Sequence, residues 1–169
     1  VNDTLHSMTL SLDRVGGARA VESLEQLAKK PYVWMVYNDL GDHYLEKELY
    51  EESAAAFRVF VSNYRHTLQA PTLHEKLINA YLKGKFPLQA LEEKEKYVEA
   101  YGIASDYQGN RNGIPAHVSS SLRVYLDELA RHYYSEGQAK LKAQAELQEK
   151  KDPDQKKIME LSVESIASF

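Results

Sequence analysis

Apolar residues recur at three- and four-residue spacing along most of the chain, the period of one face of an α-helix. A first helix is predicted over Asn2–Val15, ended by Gly16-Gly17, and a second over residues 18–30, ended by Pro31. Glycine adopts the left-handed conformation at a helix end without steric cost, and proline cannot continue a helix. Further helices are predicted over residues 32–48, 50–64, 71–83 and 87–101, and from near Val118 onward.

Residues 102–115 are polar and contain several glycines, and they are predicted to form a loop longer than the roughly 2–8 residues usual between bundle helices. Beyond Val118 the helical pattern continues into a charged, glutamine-rich stretch, residues 139–157. We interpret this stretch as a solvated helix extension because Ala, Lys, Glu and Gln favour helix, with a mobile connector as the alternative. A last helix is predicted from Gln155 onward.

Composition supports an all-α fold class. Leu and Ala together number 37, whereas the β-branched residues Val, Ile and Thr number 20, and β-branched residues favour strands. The net charge of −4 argues against a general nucleic-acid binder. The absence of cysteine excludes disulfides, cysteine-ligated zinc and thiol catalysis. No apolar run reaches the roughly 18–20 residues of a bilayer-spanning helix. The two ends of the sequence lead us to expect a fragment of a longer protein.

An internal repeat is the main signal in the sequence. When the third and fourth predicted helices are shifted by 37 residues, they fall on the fifth and sixth. Identical or size-matched residues at one fixed offset across two helices are the signature of a repeat architecture. The matched pairs are Leu40 and Leu77, Tyr44 and Tyr81, Ser53 and Ala90, Phe60 and Tyr97, Val61 and Val98, and Tyr64 and Tyr101.

The first copy resembles the tetratricopeptide repeat family in the run NDLGDHYLEKELYEESAAAF. The second copy departs from the family pattern, and a third keeps only a first helix, LDELARHYYSEG. The run AFRVFVSNY is most similar to the divergent repeats of bacterial envelope proteins such as the outer-membrane assembly lipoproteins. The matching residues are Leu40, Gly41, Tyr44, Tyr50, Ser53 and Phe57 in the first copy and Leu129, Ala130 and Tyr133 in the third; the second has Ile78, Pro87 and Lys94 at departing positions.

The resemblance implies a right-handed α-solenoid of antiparallel helix pairs, with about 7–8 helices. An ordinary antiparallel bundle is the alternative. Gly41 in mid-helix costs about 1 kcal/mol against Ala, so we expect the helix carrying residues 54–56 to approach it closely, with Tyr44 and Phe57 filling beside it. The expected division of this single domain is a leading helix pair over 1–31, repeats over 32–69 and 70–102, a loop over 103–116, and a partial third repeat over 117–169.

The resemblance also implies which residues face a ligand on the first helix of each repeat. Asn offers both a donor and an acceptor to a peptide backbone, and Leu and Tyr offer apolar contact. The partner expected is a protein or peptide held in a concave groove, with no cofactor and no nucleic acid, in the periplasm or cell envelope. The positions are Asn38, Asp42 and Leu45 in the first copy, Glu75, Asn79 and Leu82 in the second, and Asp127, Arg131 and Tyr134 in the third.

Two alternatives to this interaction scaffold stay open: a helical accessory domain of a larger envelope enzyme, and a self-assembly module that forms homo-oligomers. No catalytic motif favours an enzyme within this stretch of chain. The six histidines show no metal-ligand spacing, so we expect no metal site. The carboxylate neighbours Glu51-Glu52 and Glu92-Glu93 are interpreted as surface charge.

The twelve tyrosines are interpreted mainly as core residues with hydroxyls at a wet edge. Tyr37, Tyr44, Tyr81 and Tyr133 recur at core spacing. In contrast, Tyr107 in the long loop and Tyr134 are expected to be exposed contacts.

Overall fold

The computed structural model describes residues 2–107 and 114–151, and over that part of the chain it is all-helical without strands. The chain divides into two compact units, Val1–Asp127 and Glu128–Phe169. The described residues form eight helices: α1 (Asn2–Val15), α2 (Ala18–Ser23), α3 (Glu25–Ala28), α4 (Val33–Glu46), α5 (Tyr50–Asn63), α6 (Ala70–Lys83), α7 (Pro87–Tyr101) and α8 (Ala116–Lys151).

The first helices follow the predicted pattern with one break. The bounds of α1 are those predicted, and Gly16 and Gly17 after it have φ angles of 121° and 62°, values that favour glycine. The predicted second helix is divided into α2 and α3 at Leu24, where φ is −91° and ψ is 76°. No glycine or proline lies there. Before the break, Val21 is fully buried, whereas Leu24 at the break is 48% exposed.

The 37-residue interval of the sequence is present in the helix bounds and in the turns. Helices α4 and α6 begin 37 positions apart, and so do α5 and α7. One residue after the C-cap of α4 and of α6, the backbone is left-handed. The φ angle is 59° at Glu48 and 61° at Lys85. The N–H of Leu49 donates to the carbonyl of Tyr44 at 2.9 Å, and at the same offset Phe86 donates to Tyr81 at 2.9 Å.

These bonds form part of a Schellman motif at the C-terminal end of α4 and of α6. In each, a second bond runs from the left-handed residue itself: Glu48 donates to the carbonyl of Leu45 at 3.1 Å, and Lys85 to that of Leu82 at 3.2 Å. The left-handed position is usually glycine, because other side chains are strained there. The two turns therefore share a backbone conformation that the local sequence does not favour.

The core of the first unit forms where consecutive helices pack on one another. Helix α5 packs against both α4 and α6, α6 packs against α7, and α1 packs against α4. The largest fully buried side chains come chiefly from these helices: Tyr37, Leu40, Phe57, Phe60, Leu73, His74, Leu77, Ile78, Tyr97 and Tyr101.

Close packing of α5 on Gly41 confirms the expected role of this glycine. A Cβ atom added at Gly41 would lie 2.4 Å from the ring of Phe57, which is fully buried and has no room to move away. Ser53 Oγ donates to the Gly41 carbonyl at 2.8 Å, and the small residues Ala54 and Ala56 are fully buried on the same helix. A side chain at position 41 would therefore force the Phe57 ring or the helix that carries it to shift.

The described part of the predicted extension is a solvated helix: residues 139–151 are helical and residues 139–147 are exposed, while residues 152–157 lie outside the described residues. Helix α8 starts two residues before Val118 and continues without a break through Lys151. The last helix predicted from Gln155 onward lies outside the described residues, as do positions 108–113 of the predicted loop. In the described parts of the loop, residues 102–107 and 114–115 are not helical. None of the helices described by the structure is long and apolar enough to cross a bilayer.

Two tyrosine predictions are wrong. Tyr107 is 1% exposed and packs on Tyr101 with ring centroids 5.2 Å apart, because the loop folds back onto α7. Tyr133, predicted to lie in the core, is 50% exposed. Tyr134 is 70% exposed and follows its prediction.

The third copy does not reproduce the burial of the first. Leu40, Gly41 and Tyr44 are buried, whereas Ala130 and Tyr133 at the positions matched to Gly41 and Tyr44 are exposed. In the first unit, α8 instead buries Val118 and Leu122, and half-buries Tyr125. Of the three matched positions in LDELARHYY, only Leu129, the equivalent of Leu40, is buried.

Candidate functional site

Six of the nine predicted ligand-facing residues lie on helices α4 and α6. Residues spaced three, four or seven apart share one helix face, and Asn38, Asp42 and Leu45 on α4 have this spacing, as do their equivalents on α6. We call these six residues the α4–α6 face. They are Asn38, Asp42, Leu45 and Glu75, which are half-buried, and Asn79 and Leu82, which are exposed.

Lys76 joins two of these residues across the helices. Its Nζ donates to Asn38 Oδ1 at 2.7 Å and to Asp42 Oδ2 at 2.6 Å. Asn38 Nδ2 also donates to Asp42 Oδ2 at 3.1 Å, and the ammonium lies 5.8 Å from the centre of the Phe57 ring. Because its charge is matched by Lys76, Asp42 does not present a bare carboxylate to a ligand.

Lys76 was not among the residues predicted from the sequence. The signal that could have found it is its position on α6 directly beside the predicted residue Glu75. A partly exposed ion pair contributes little stability alone, typically about 0–1 kcal/mol. Its geometric effect is to give Asn38 and Asp42 a shared hydrogen-bond donor.

Glu75 is engaged inside the protein rather than free. Its Oε1 accepts hydrogen bonds from Tyr97 Oη of α7 at 2.7 Å and from Ser121 Oγ of α8 at 2.8 Å. Burial raises the pKa of Tyr97, and the hydrogen bond to Glu75 raises it further, so the phenol stays protonated and donates. Glu75 therefore ties three helices together at one edge of the α4–α6 face.

The remaining predicted residues are exposed. Asn79 is solvent-accessible and Leu82 is 50% exposed, so both are open to a ligand on α6. Asp127 is exposed at the end of the first unit. Arg131 and Tyr134 are exposed in the second unit. Of the predicted residues, the structure brings Asn38 and Asp42 of α4 together and joins them to α6 through Lys76.

A buried ionic cluster lies behind this face, where the sequence predicted surface charge. Glu93 is 2% exposed, which corrects its interpretation as a surface carboxylate. His74 Nε2 lies 3.1 Å from Glu93 Oε2, while Arg58 and Lys96 donate to Glu93 Oε1 at 2.9 Å and 2.7 Å. Arg58 also lies 5.4 Å above the ring of Tyr81.

The charge state of Glu93 follows from its partners. Burial alone would raise the pKa of this carboxyl, but hydrogen bonds from His74 and Lys96 and the charge of Arg58 outweigh burial and hold the pKa at about 2. The repeat could have revealed the cluster, because the 37-residue shift places His74 on Tyr37 and Glu93 on Ala56, and both of these are fully buried.

The described residues contain no group of three or more His, Asp or Glu side chains arranged to hold a metal ion. No protein-family model, curated protein or solved structure matches the chain.

Proposed function

We propose that the chain is a non-catalytic protein-interaction scaffold of the tetratricopeptide type, which binds a peptide or partner helix on the α4–α6 face in a bacterial envelope assembly. The observation that carries this proposal is the identical turn, Schellman bonds included, that ends α4 and α6 at an interval of 37 residues. Repeated helical hairpins that stack on one another generate an extended surface suited to partner binding.

The hairpins are inferred from connection length and packing. Helix α4 is joined to α5 by three residues, and α6 to α7 by three residues, while each pair packs together. A connection this short between packed helices requires the chain to reverse, giving antiparallel pairs. Contact between α5 and α6 then stacks one hairpin on the next, as in a solenoid of such pairs.

The exposed members of the α4–α6 face have the chemistry that a peptide requires. Asn79 can donate to and accept from a peptide backbone, and Leu82 offers apolar surface one helical turn away. The paired charges of Asp42 and Lys76 add a polar border whose net charge is zero. Such a border excludes water from the contact that Asn79 and Leu82 make with the peptide, and it does not require the peptide to be charged.

A random-peptide display library selected on the chain tests the proposal. Enriched peptides should lose about tenfold or more in affinity for the double variant Asn79→Ala/Leu82→Ala, because one amide and one leucine contact are removed. The matched control is Leu88→Ala/Gln89→Ala, which removes an exposed leucine and an exposed amide from α7 and should bind the same peptides unchanged. Far-UV circular dichroism checks that both variants stay helical.

Three results would count against this assignment. In the first, selection yields no peptide that binds in solution, which contradicts a peptide-binding function. In the second, the enriched peptides bind Asn79→Ala/Leu82→Ala as tightly as the parent chain, and in the third, both double variants lose affinity equally. The second and third results contradict the placement of the binding site on the α4–α6 face.

A further inference from the structure

A separate recess opens between the segment after α3 and the end of α5. It is a cavity of about 270 Å³, and its lining includes the aromatic residues Trp34, Phe60 and Tyr64 together with Pro31. Trp34 is on the first turn of α4, while Phe60 is in the last turn of α5 and Tyr64 caps that helix. None of these residues belongs to the α4–α6 face, so a role for this cavity is independent of the proposed function.

The size of the cavity limits what it can hold. Pockets that enclose a drug-sized molecule usually measure roughly 300–1,000 Å³, so this one suits a single large side chain and not a whole cofactor. Its aromatic wall is fixed in place. The rings of Phe60 and Tyr64 stack at 4.9 Å, and Tyr64 Oη donates to the Ala28 carbonyl at 2.9 Å. A rigid wall of rings favours an aromatic guest, since aromatic pairs gain from offset or edge-to-face contact.

The rim of the cavity carries positive charge. Lys29 and Lys30 are exposed and line it, and no Asp or Glu is among the described residues that line it. The charge of Glu22 acts on Tyr64, but Glu22 does not line the cavity. Its Oε1 accepts a hydrogen bond from Asn63 Nδ2 at 3.0 Å. An apolar recess with two lysines on its rim is complementary to an apolar side chain flanked by carboxylates.

We propose that this cavity binds one aromatic side chain of a protein segment whose neighbouring residues are acidic. The ring enters between Trp34 and Tyr64, and the flanking carboxylates lie over Lys29 and Lys30. Because the ammonium groups are exposed, they contribute mainly to selectivity and association, while the ring contributes most of the affinity.

Trp34 is the single tryptophan of the chain and reports occupancy directly. The probe is the amidated, acetylated peptide EDFDE, titrated at low salt while tryptophan emission is followed. A saturable change is expected. Replacing its Phe by Ser should weaken binding about 30-fold, because the buried ring is lost. The charge-reversed peptide KKFKK should bind about tenfold more weakly or not at all, because its lysines meet those of the rim.

Charge reversal in the protein completes the test. Lys29→Glu/Lys30→Glu should weaken EDFDE binding about tenfold, whereas the charge-matched control Lys83→Glu/Lys85→Glu, at exposed positions around the α6–α7 turn, should leave it unchanged. The proposal is overturned if a large excess of EDFDE leaves the Trp34 emission unchanged. It is also overturned if the Ser peptide or free phenylacetate binds as tightly as EDFDE. A control variant that weakens binding as much as Lys29→Glu/Lys30→Glu overturns it as well. Each outcome leaves the assignment of the α4–α6 face untouched.

Discussion

His74 Nε2 lies 3.1 Å from Glu93 Oε2 inside the core, and both residues are 2% exposed. At the equivalent positions, 37 residues earlier, stand Tyr37 on α4 and Ala56 on α5. Helices α6 and α7 thus hold a polar pair where α4 and α5 hold an aromatic ring and a methyl group. This exchange makes the energetics of the two helix pairs different although their helix starts and turns repeat.

Removal of Glu93 should be strongly destabilising. Glu93→Ala leaves the buried His74 without its partner, and breaking a buried pair by deleting one member costs about 3–5 kcal/mol. The double variant His74→Tyr/Glu93→Ala installs the residues of the first hairpin and should recover most of the loss, since apolar replacements of buried pairs are often neutral. Urea unfolding followed by circular dichroism measures both. A loss below about 1 kcal/mol for Glu93→Ala would contradict the burial of this pair.

Stability should fall in acid partly through Glu93. The pKa of Glu93 in the folded protein, about 2, lies below its ordinary value of 4.5. Its contribution to the free energy of unfolding is therefore fully present above pH 4.5 and is lost as the pH falls through 2. The free energy of unfolding, measured in urea at a series of pH values across this window, should decline less steeply for Glu93→Gln than for the parent chain. Parallel slopes for the two proteins would show that this carboxyl does not control acid unfolding.

A methyl group at Gly41 should loosen the contact between α4 and α5. Gly41→Ala places a Cβ 2.4 Å from the Phe57 ring and should cost about 1–3 kcal/mol through overpacking. Gly137→Ala is the control, because its Cβ meets nothing within 4 Å on helix α8 and should add about 0.5–1 kcal/mol to helix stability. Thermal melts of the two variants should move in opposite directions, and a shift in the same direction would contradict this packing.

Glycine at the left-handed turn positions should stabilise both hairpins alike. Glu48→Gly and Lys85→Gly relieve the strain of their left-handed backbone and should each add up to about 1 kcal/mol, reduced by the extra freedom of glycine in the unfolded chain. Glu92→Gly, exposed in mid-helix α7, is the control and should cost about 1 kcal/mol. Chemical denaturation of the three variants measures these effects. Unequal responses at positions 48 and 85 would show that the two turns are not energetically equivalent.

The sequence alone determined most of the described helices and their 37-residue interval, but not the break between α2 and α3. Helix α1 and helix α7 begin and end where Asn2–Val15 and Pro87–Tyr101 were predicted, because apolar periodicity, glycine and proline act locally. The residues of the α4–α6 face were implied by the family resemblance and not by the helical period; of two of its amides, Asn79 is exposed and Asn38 is half-buried. The close approach at Gly41 followed from the cost of glycine within a helix.

Only the tertiary structure decided which polar residues are buried and which residues meet. Glu93 follows Glu92 in the sequence, a pattern typical of a helix surface. In the structure, however, Arg58 of α5, His74 of α6 and Lys96 of α7 all contact its carboxylate. Lys76 reaches Asp42 across 34 positions of sequence, and Tyr107 is buried because its loop returns to α7. Periodicity reports on one helix at a time, whereas charge pairing and burial depend on neighbours that are distant in sequence.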